Sequence, residues 1–327
     1  MFRSTLNRWL LFLTLGLSIL TSACDSPATQ QSSSTTTAAK QTIAFSVYDM
    51  QQQYFQDMEK GTRTAVQAAG YNYVLANEND SATTMASSAM KLINQGVNAL
   101  IISPFQPSAL GPVVDAAHKK GIPVVIDDIG GGNSDYDSIV VSDNEKGGII
   151  AADQMNTLIK SKPGASKDIL SITCEPDAVY AARRNAGFER EIKALGYHIV
   201  ASIPGYSLQA NGYKITKQMM TAHPDITGIF ACNDPMAVGA GQALAAMGKS
   251  GSKDVFVIGF NGDQIALNAI KNGEMSATIQ QVPEKLGEES VSLATQLLNK
   301  QPLQYDNPAS REILVPINLI TAADLPS

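Results

Sequence analysis

The chain has 327 residues, of which 44% are hydrophobic, and its 24 Lys and Arg against 30 Asp and Glu give a net charge of −6. That balance leaves no basic footprint for nucleic acid or anionic lipid, and the length is enough for two domains with cores of their own.

Arg3 and Arg8 flank the start of an apolar stretch, Trp9 to Leu20, and Thr21-Ser22-Ala23-Cys24 follows. This order reads as a secretion signal over residues 1–23. A spanning helix needs roughly 18 apolar residues, and neither this stretch nor any later one is that long. The two small residues before Cys24 resemble a lipoprotein signal, in which the cysteine carries the lipid and begins the mature chain. Thr21 stands where a larger aliphatic residue is usual, so ordinary cleavage after Ala23 is the alternative. Asp25 resembles an inner-membrane retention signal. Residues 24–41 hold no large apolar side chain and read as a disordered tether. Membrane contact is expected only through the lipid, in the periplasm or on the outer face of the cytoplasmic membrane. Without Arg3 and Arg8, 22 basic residues face 30 acidic ones, a net charge of −8 with no long run of one sign.

From Thr42 onward, short β-branched runs alternate with helical patterns. The first series is "TIAFSV" (42–47), "YNYVLA" (71–76), "NALIIS" (98–103), "IPVVID" (122–127) and "SIVVS" (138–142). The second is "DILSIT" (168–173), "HIVASI" (198–203), "GIFAC" (228–232), "VFVIGF" (255–260) and "SATIQ" (276–280). Between them lie amphipathic segments such as "FQDMEKGTRTAVQAAG" and "GFEREIKALG", each closed by glycine. Strict alternation implies parallel sheets covered on both faces, and ten strands divide into two sheets of five near Ser142-Asp143. The fold class is α/β, with two similar doubly wound lobes.

Ligands of open α/β sheets bind beyond the carboxyl ends of the strands. The residues at those ends are "YDMQQQYF", Asp128, Asp143-Asn144, Arg183-Arg184, Asn233-Asp234, Asn261 and Gln281. Aromatics, amides, a carboxylate and an arginine drawn from both lobes suit a polyol, whose C–H faces pack on rings and whose hydroxyls both donate and accept. Part of the set also caps helices: Asp234 before Pro235 reads as an N-cap.

These motifs, together with "GIPVVIDD", "VSDNEKGG", "ARRNAGF", "TAHPDITGIFACNDPMAVGA", "VIGFNG" and "ATIQQVPEKLG", resemble the ribose-binding group of periplasmic sugar-binding proteins. That group serves ABC importers and shares its fold with the ligand domains of LacI-type repressors. The resemblance implies that Tyr54 and Phe55 stack on the sugar. It implies that Asp128, Arg184, Asn233, Asn261 and Gln281 hydrogen-bond it, with Gln52 and Ser103 as further contacts. It also implies three crossings between lobes, near Ser142, Gln281 and Ala309. The lobes are then 42–142 plus 282–309 and 143–281 plus 310–321. Three departures bear on specificity. Ile129 replaces an arginine, Asn261 replaces an aspartate, and Ser207 replaces a third stacking aromatic, with Tyr206 beside it as a substitute. A ligand other than ribose is expected: another pentose, a hexose, a deoxy sugar, a sugar alcohol or an inositol.

Other classes fit poorly. "GAGQAL" at 239–244 lacks the third glycine of a dinucleotide loop and falls within a helix, where small residues allow close helix–sheet packing; "GKS" at 248–250 follows a helix instead of a strand. No Gly-x-Ser-x-Gly or His-Glu-x-x-His is present, and His118, His198 and His223 avoid the strand ends. Asp127 and Asp128 point to opposite faces, so they cannot flank one glycosidic bond. Cys174 and Cys232 have no Cys-x-x-Cys and no nearby histidine pair, which argues against zinc; two buried thiols are expected, although export permits a disulfide. The sequence therefore reads as a non-enzymatic sugar- or polyol-binding lipoprotein without cofactor or metal. It would deliver its ligand to an ABC permease or, alternatively, to a chemoreceptor. A sugar-modifying enzyme on the same scaffold is the weaker reading.

Overall fold

The computed structural model describes residues 40–176 and 178–326. The signal peptide, Cys24 and the tether up to Ala39 lie outside the described residues.

The first lobe opens with β1 (Thr42–Val47), α1 (Gln53–Ala68), β2 (Asn72–Asn77), α2 (Ala82–Gln95), β3 (Ala99–Ile102), α3 (Gly111–His118), β4 (Val124–Asp127) and β5 (Ser138–Ser142). The second contains α4 (Asn144–Lys160), β6 (Asp168–Thr173), α5 (Val179–Ala194), β7 (His198–Pro204), α6 (Gln209–Ala222), β8 (Ile226–Ala231), α7 (Asp234–Ala246), β9 (Phe256–Asn261), α8 (Gln264–Lys271) and β10 (Ala277–Gln280). The chain then forms α9 (Pro283–Leu298), β11 (Glu312–Val315) and β12 (Asn318–Thr321).

The sheets run β11-β5-β4-β3-β1-β2 and β12-β10-β9-β8-β6-β7. Every pair is parallel except β10 with β12. Period-two alternation sorts each strand onto two cores. Ile43, Phe45 and Val47 join Met58 of α1 and Leu286 of α9, whereas Ala44, Leu100 and Ile102 join Leu92 and Ile93 of α2. In the second sheet Phe230, Ile258 and Phe260 pack on Met155 of α4 and Phe188 of α5, while Ile229 and Val257 face α7 and α8.

The sheets have six strands each, one more than the runs of β-branched residues indicate. Residues 310–321 do not belong to one lobe. β11 pairs with β5, placing Leu314 and Ile313 against the two cores of the first lobe, and only β12 joins the second sheet. The third crossing therefore lies between Val315 and Asn318, not at Ala309. The other two fall after Ser142 and after Gln280.

α4 and α5 approach closely because glycines face each helix backbone: a Cβ on Gly148 would lie 2.1 Å from the Arg184 carbonyl oxygen, and one on Gly187 would lie 2.3 Å from that of Glu145. Gly239 of α7 likewise meets the Gln209 carbonyl of α6, while Ala240 and Leu244 of "GAGQAL" pack with Ile229 and Val257 of the sheet.

Cys174 and Cys232 are joined in a disulfide, with Cα atoms 5.6 Å apart, contrary to the expectation of two thiols. The cause is register: Ile172 of β6 lies opposite Ala231 of β8, so the residues just past those strands meet. Closing a loop across a separation of 58 residues removes chain entropy from the unfolded state worth about 4 kcal/mol. Reduction should lower the melting temperature by several degrees in calorimetry, and Cys174→Ser with Cys232→Ser should match it; no change would show that the bond adds no stability.

Candidate ligand-binding cleft

A cavity of about 480 Å³ is lined by Tyr54 and Asp57 of α1, by Asn261 and Asp263 at the end of β9 and by Gln281 after β10, whereas Ser103, Asp128, Arg184 and Asn233 do not line it. Tyr54 sits in the first turn of α1, and its hydroxyl lies 3.0 Å from Asp128 Oδ1 and 3.2 Å from Gln281 Oε1. Gln281 Nε2 donates to Asn261 Oδ1 at 2.9 Å, and Asn261 Nδ2 donates to Asp263 Oδ2 at 3.1 Å. One hydrogen-bonded series thus runs from the first lobe to the second.

Two members of this series adopt backbone that L-residues seldom take: φ is +67° at Asp128 and +131° at Asn261. Asp128 therefore turns back from the strand end toward Tyr54, while its neighbour Asp127 points the other way and accepts from Ser290 of α9 at 3.0 Å.

Arg184 enters from α5 and is buried. Its Nε donates to Asn144 Oδ1 at 2.7 Å, its Nη1 donates to the Cys232 carbonyl at 3.1 Å, and its guanidinium lies 4.1 Å from the centre of the Phe260 ring. Burial lowers its pKa, opposed chiefly by Asp128 and then by Tyr54, Asp234 and Asp263. Burial raises the Asp128 carboxyl, opposed by Arg184 and by the Tyr54 hydrogen bond. The Tyr54 hydroxyl is driven well up by burial and by Asp128, so it remains a proton donor.

Asn233, not Asp234, is the N-cap of α7: its Oδ1 accepts from the Met236 N–H. Asp234 is fully buried and instead ties down the neighbouring loop. Its Oδ2 accepts from the N–H groups of Gly262 and Asp263 at 2.8 and 2.7 Å, and its Oδ1 accepts from Thr278 Oγ1 at 2.7 Å. Burial and the Asp263 charge push it up to about 7, opposed by those three donors.

The aromatic wall differs from the one expected. Phe55 is buried and stacks on Tyr48, with centroids 4.9 Å apart, and Tyr54 meets it edge-on. Tyr48 also packs on Phe105. Ser207 donates to Glu175 at 2.8 Å, and Tyr206 is half exposed. Ser103 is buried with an unpartnered hydroxyl, whereas Gln52 is exposed and its side chain joins none of these bonds. Sequence reasoning does not pick out as contacts four residues that support this set: Tyr48 against Phe55, Asn144 and Phe260 against Arg184, and Asp263 against Asn261. Asn144 and Tyr48 do stand at strand ends, where the position rule finds them; Asp263 lies two residues further along its loop.

Arg183 turns away from the cleft. It and the Tyr180 hydroxyl, both on α5, reach Glu312 Oε1 of β11 at 2.9 Å, a second contact between lobes. Burial disfavours the Glu312 carboxylate, but Arg183 and Tyr180 outweigh it and hold its pKa below the usual range. Among the described residues no helix is long and apolar enough to cross a membrane, and no three His, Cys, Asp or Glu side chains are grouped to hold a metal.

Comparison with known proteins gives a match of residues 43–302 to the family described as periplasmic binding protein domain. The ribose import binding protein of Salmonella typhimurium is 30% identical over 277 residues, covering 85% of this chain and 91% of that one. The ribose import binding protein of Bacillus subtilis is 31% identical over 294 residues, covering 89% and 93%. A carbohydrate transporter solute binding protein from Agrobacterium radiobacter, in complex with D-arabinose, superposes with a TM-score of 0.76 at 29% identity, over 88% of this chain and 96% of that one.

Beneath the aromatic wall, buried Glu78 accepts from Ser46 Oγ and from the Phe105 N–H, both at 2.7 Å. Burial pushes its pKa up to about 7, beyond what these two donors offset. The unfolded chain loses this proton near pH 4.5 and the folded one near 7, so the group costs stability as pH rises across that window, about 3 kcal/mol in all. Glu78→Gln should be the more stable protein at pH 8 and close to wild type at pH 4; parallel denaturation curves across that range would refute the assignment.

Proposed function

Because the chain belongs to the periplasmic binding protein family, we propose that it is the extracytoplasmic binding component of an ABC importer. In this reading it captures a neutral monosaccharide or polyol between its lobes and delivers it to the permease. Cys24 would tether it to the membrane. The observation that carries the reading is the hydrogen-bonded series from Asp128 through Tyr54, Gln281 and Asn261 to Asp263, which draws on both lobes beside the buried Arg184.

A sugar hydroxyl donates one hydrogen bond and accepts others, so carboxylates, amides and a guanidinium satisfy it in pairs. Arg184 has five N–H donors and commits two, to Asn144 and Cys232, which leaves three for ligand oxygens. Asp128 supplies acceptors. Ser103 would regain a partner for its buried hydroxyl. Both relatives are ribose import binding proteins, and D-arabinose is the sugar in the superposed structure. Ile129 and Asn261 depart from the ribose-binding pattern and favour a related polyol.

The molecule is a binding protein and not an enzyme: the relatives are binding proteins, and His118 and His198 pair with Asp137 and Asp168 away from the cleft. Delivery rests on closure. A ligand touching both lobes stabilises the closed arrangement by its differential contacts, and the three crossings are the places where the chain can bend.

Thermal unfolding against pentoses, hexoses and polyols should show a rise in melting temperature with one or a few of them, and the sugar should be recovered unchanged. Arg184→Ala or Asn233→Ala should abolish that rise while the protein remains folded. An undiminished ligand response in both variants, or chemical conversion of any sugar, would overturn the proposal.

A further inference from the structure

Asp263 follows the strand end by two residues, and its carboxylate has acceptors only. The Asn261 amide nitrogen must therefore face Asp263, at 3.1 Å, which turns the Asn261 oxygen toward Gln281 Nε2 at 2.9 Å. The Gln281 oxygen is then left facing the Tyr54 hydroxyl at 3.2 Å. Each amide in the series is oriented by the one after it, and the last is oriented by Asp263. At the other end, Tyr54 has one O–H for two acceptors, Gln281 Oε1 and Asp128 Oδ1.

We propose that Asp263 is a positioning residue that fixes the donor–acceptor polarity of the cleft, and that it thereby selects ligands presenting a hydroxyl donor at the Tyr54–Asp128–Gln281 junction. The inference rests on the sugar-binding reading and adds to it a rule for which stereoisomers are accepted. With the amides aligned, the junction is one donor short, and a ligand hydroxyl hydrogen makes up the deficit. An epimer that turns this hydroxyl away leaves an acceptor buried and unpaired. The carboxylate also stands with Asp128 near Arg184, the one buried cation among the described residues, and two acids against one base disfavour uronates and sugar phosphates.

Asp263 is held firmly enough to do this. Its own N–H and that of Gly262 are bound by the buried Asp234 carboxylate. Gly262 has φ of +82°, and a Cβ there would lie 2.6 Å from Gln280 Cγ. The backbone of this loop is thus tied to Asp234, and the Asp263 carboxylate is held by its bond from Asn261 Nδ2.

Asp263→Asn offers an amide that can face Asn261 with either end, so it releases the series to flip; Asp263→Glu keeps an acceptor. Isothermal titration of wild type and both variants with D-ribose, D-arabinose, D-allose, xylitol and myo-inositol tests the assignment. Expected for Asp263→Asn is a loss of about tenfold for the best-bound of these probes, with the preference between it and its nearest competitor compressed by a similar factor. Asp263→Glu should restore the ranking in part, and the unliganded melting temperature of Asp263→Asn should be unchanged. If that variant does not fold, Asp263→Ser serves in its place, since it too removes the acceptor-only group and leaves the ligand-contacting side chains unchanged. Unaltered affinities, or a uniform loss that preserves the ranking, would overturn the role of Asp263. Wild type that binds none of the five probes would instead remove the sugar-binding reading on which it stands.

Discussion

A parallel sheet directs the carboxyl ends of all its strands to one edge, and that constraint assembles the cleft. Tyr54, Asp128, Asn233, Asn261 and Gln281 are far apart in sequence, yet each lies just past a strand or in the first turn of the helix that follows one. Two such edges face one another, and helix amino-termini turn the same way, so backbone N–H groups and polar side chains collect in one place. No local motif is required. The same constraint explains the disulfide, because Cys174 and Cys232 follow strands that are neighbours in register.

Such convergence is costly to hold still, since loops that carry ligand groups have few apolar contacts. Buried carboxylates do that work here. Asp234 gathers two loop N–H groups and Thr278 of β10, and Glu78 gathers β1 and the loop after β3. Each carboxylate is penalised by desolvation, and each offsets part of that penalty with hydrogen bonds that exist only when the loop is in place. The geometry of the cleft is thus linked to carboxylates buried behind its loops. Arg183, Tyr180 and Glu312 act in the same way between the lobes: for the lobes to part, a carboxylate only 2% exposed must give up its guanidinium and its phenol.

The sequence shows why most of this is readable and where it stops. Runs such as Ile43-Ala44-Phe45 and Val124-Val125-Ile126 are buried on both faces, so apolarity alone marks them as central strands. β11 and β12 are four residues each, at the sheet edges, and separated by two residues, so their pattern falls below what periodicity resolves. Asn233 illustrates a limit of a different kind. The Asn-Asp-Pro turn announces a helix start, but whether the cap is the asparagine or the aspartate depends on Thr278 and the Gly262 N–H, which come from other parts of the chain. Gln52 and Ser207 show the limit of resemblance: the positions align, while one side chain is exposed and the other is occupied by Glu175.

The replaced residues make sense as a set. Against the ribose-binding pattern that the sequence resembles, Ile129 and Asn261 stand in place of one charge of each sign, which changes which groups can donate. Asp263 places a carboxylate one step behind the Asn261 amide, at 3.1 Å. A charged group touching the ligand demands a hydroxyl of matching sense, whereas an amide backed by a carboxylate is polarised and held in one orientation without being desolvated to the same degree. In the proposed reading specificity comes from the alignment of neutral groups, and Arg184, braced by Asn144, Cys232 and Phe260, is the one buried cation among the described residues.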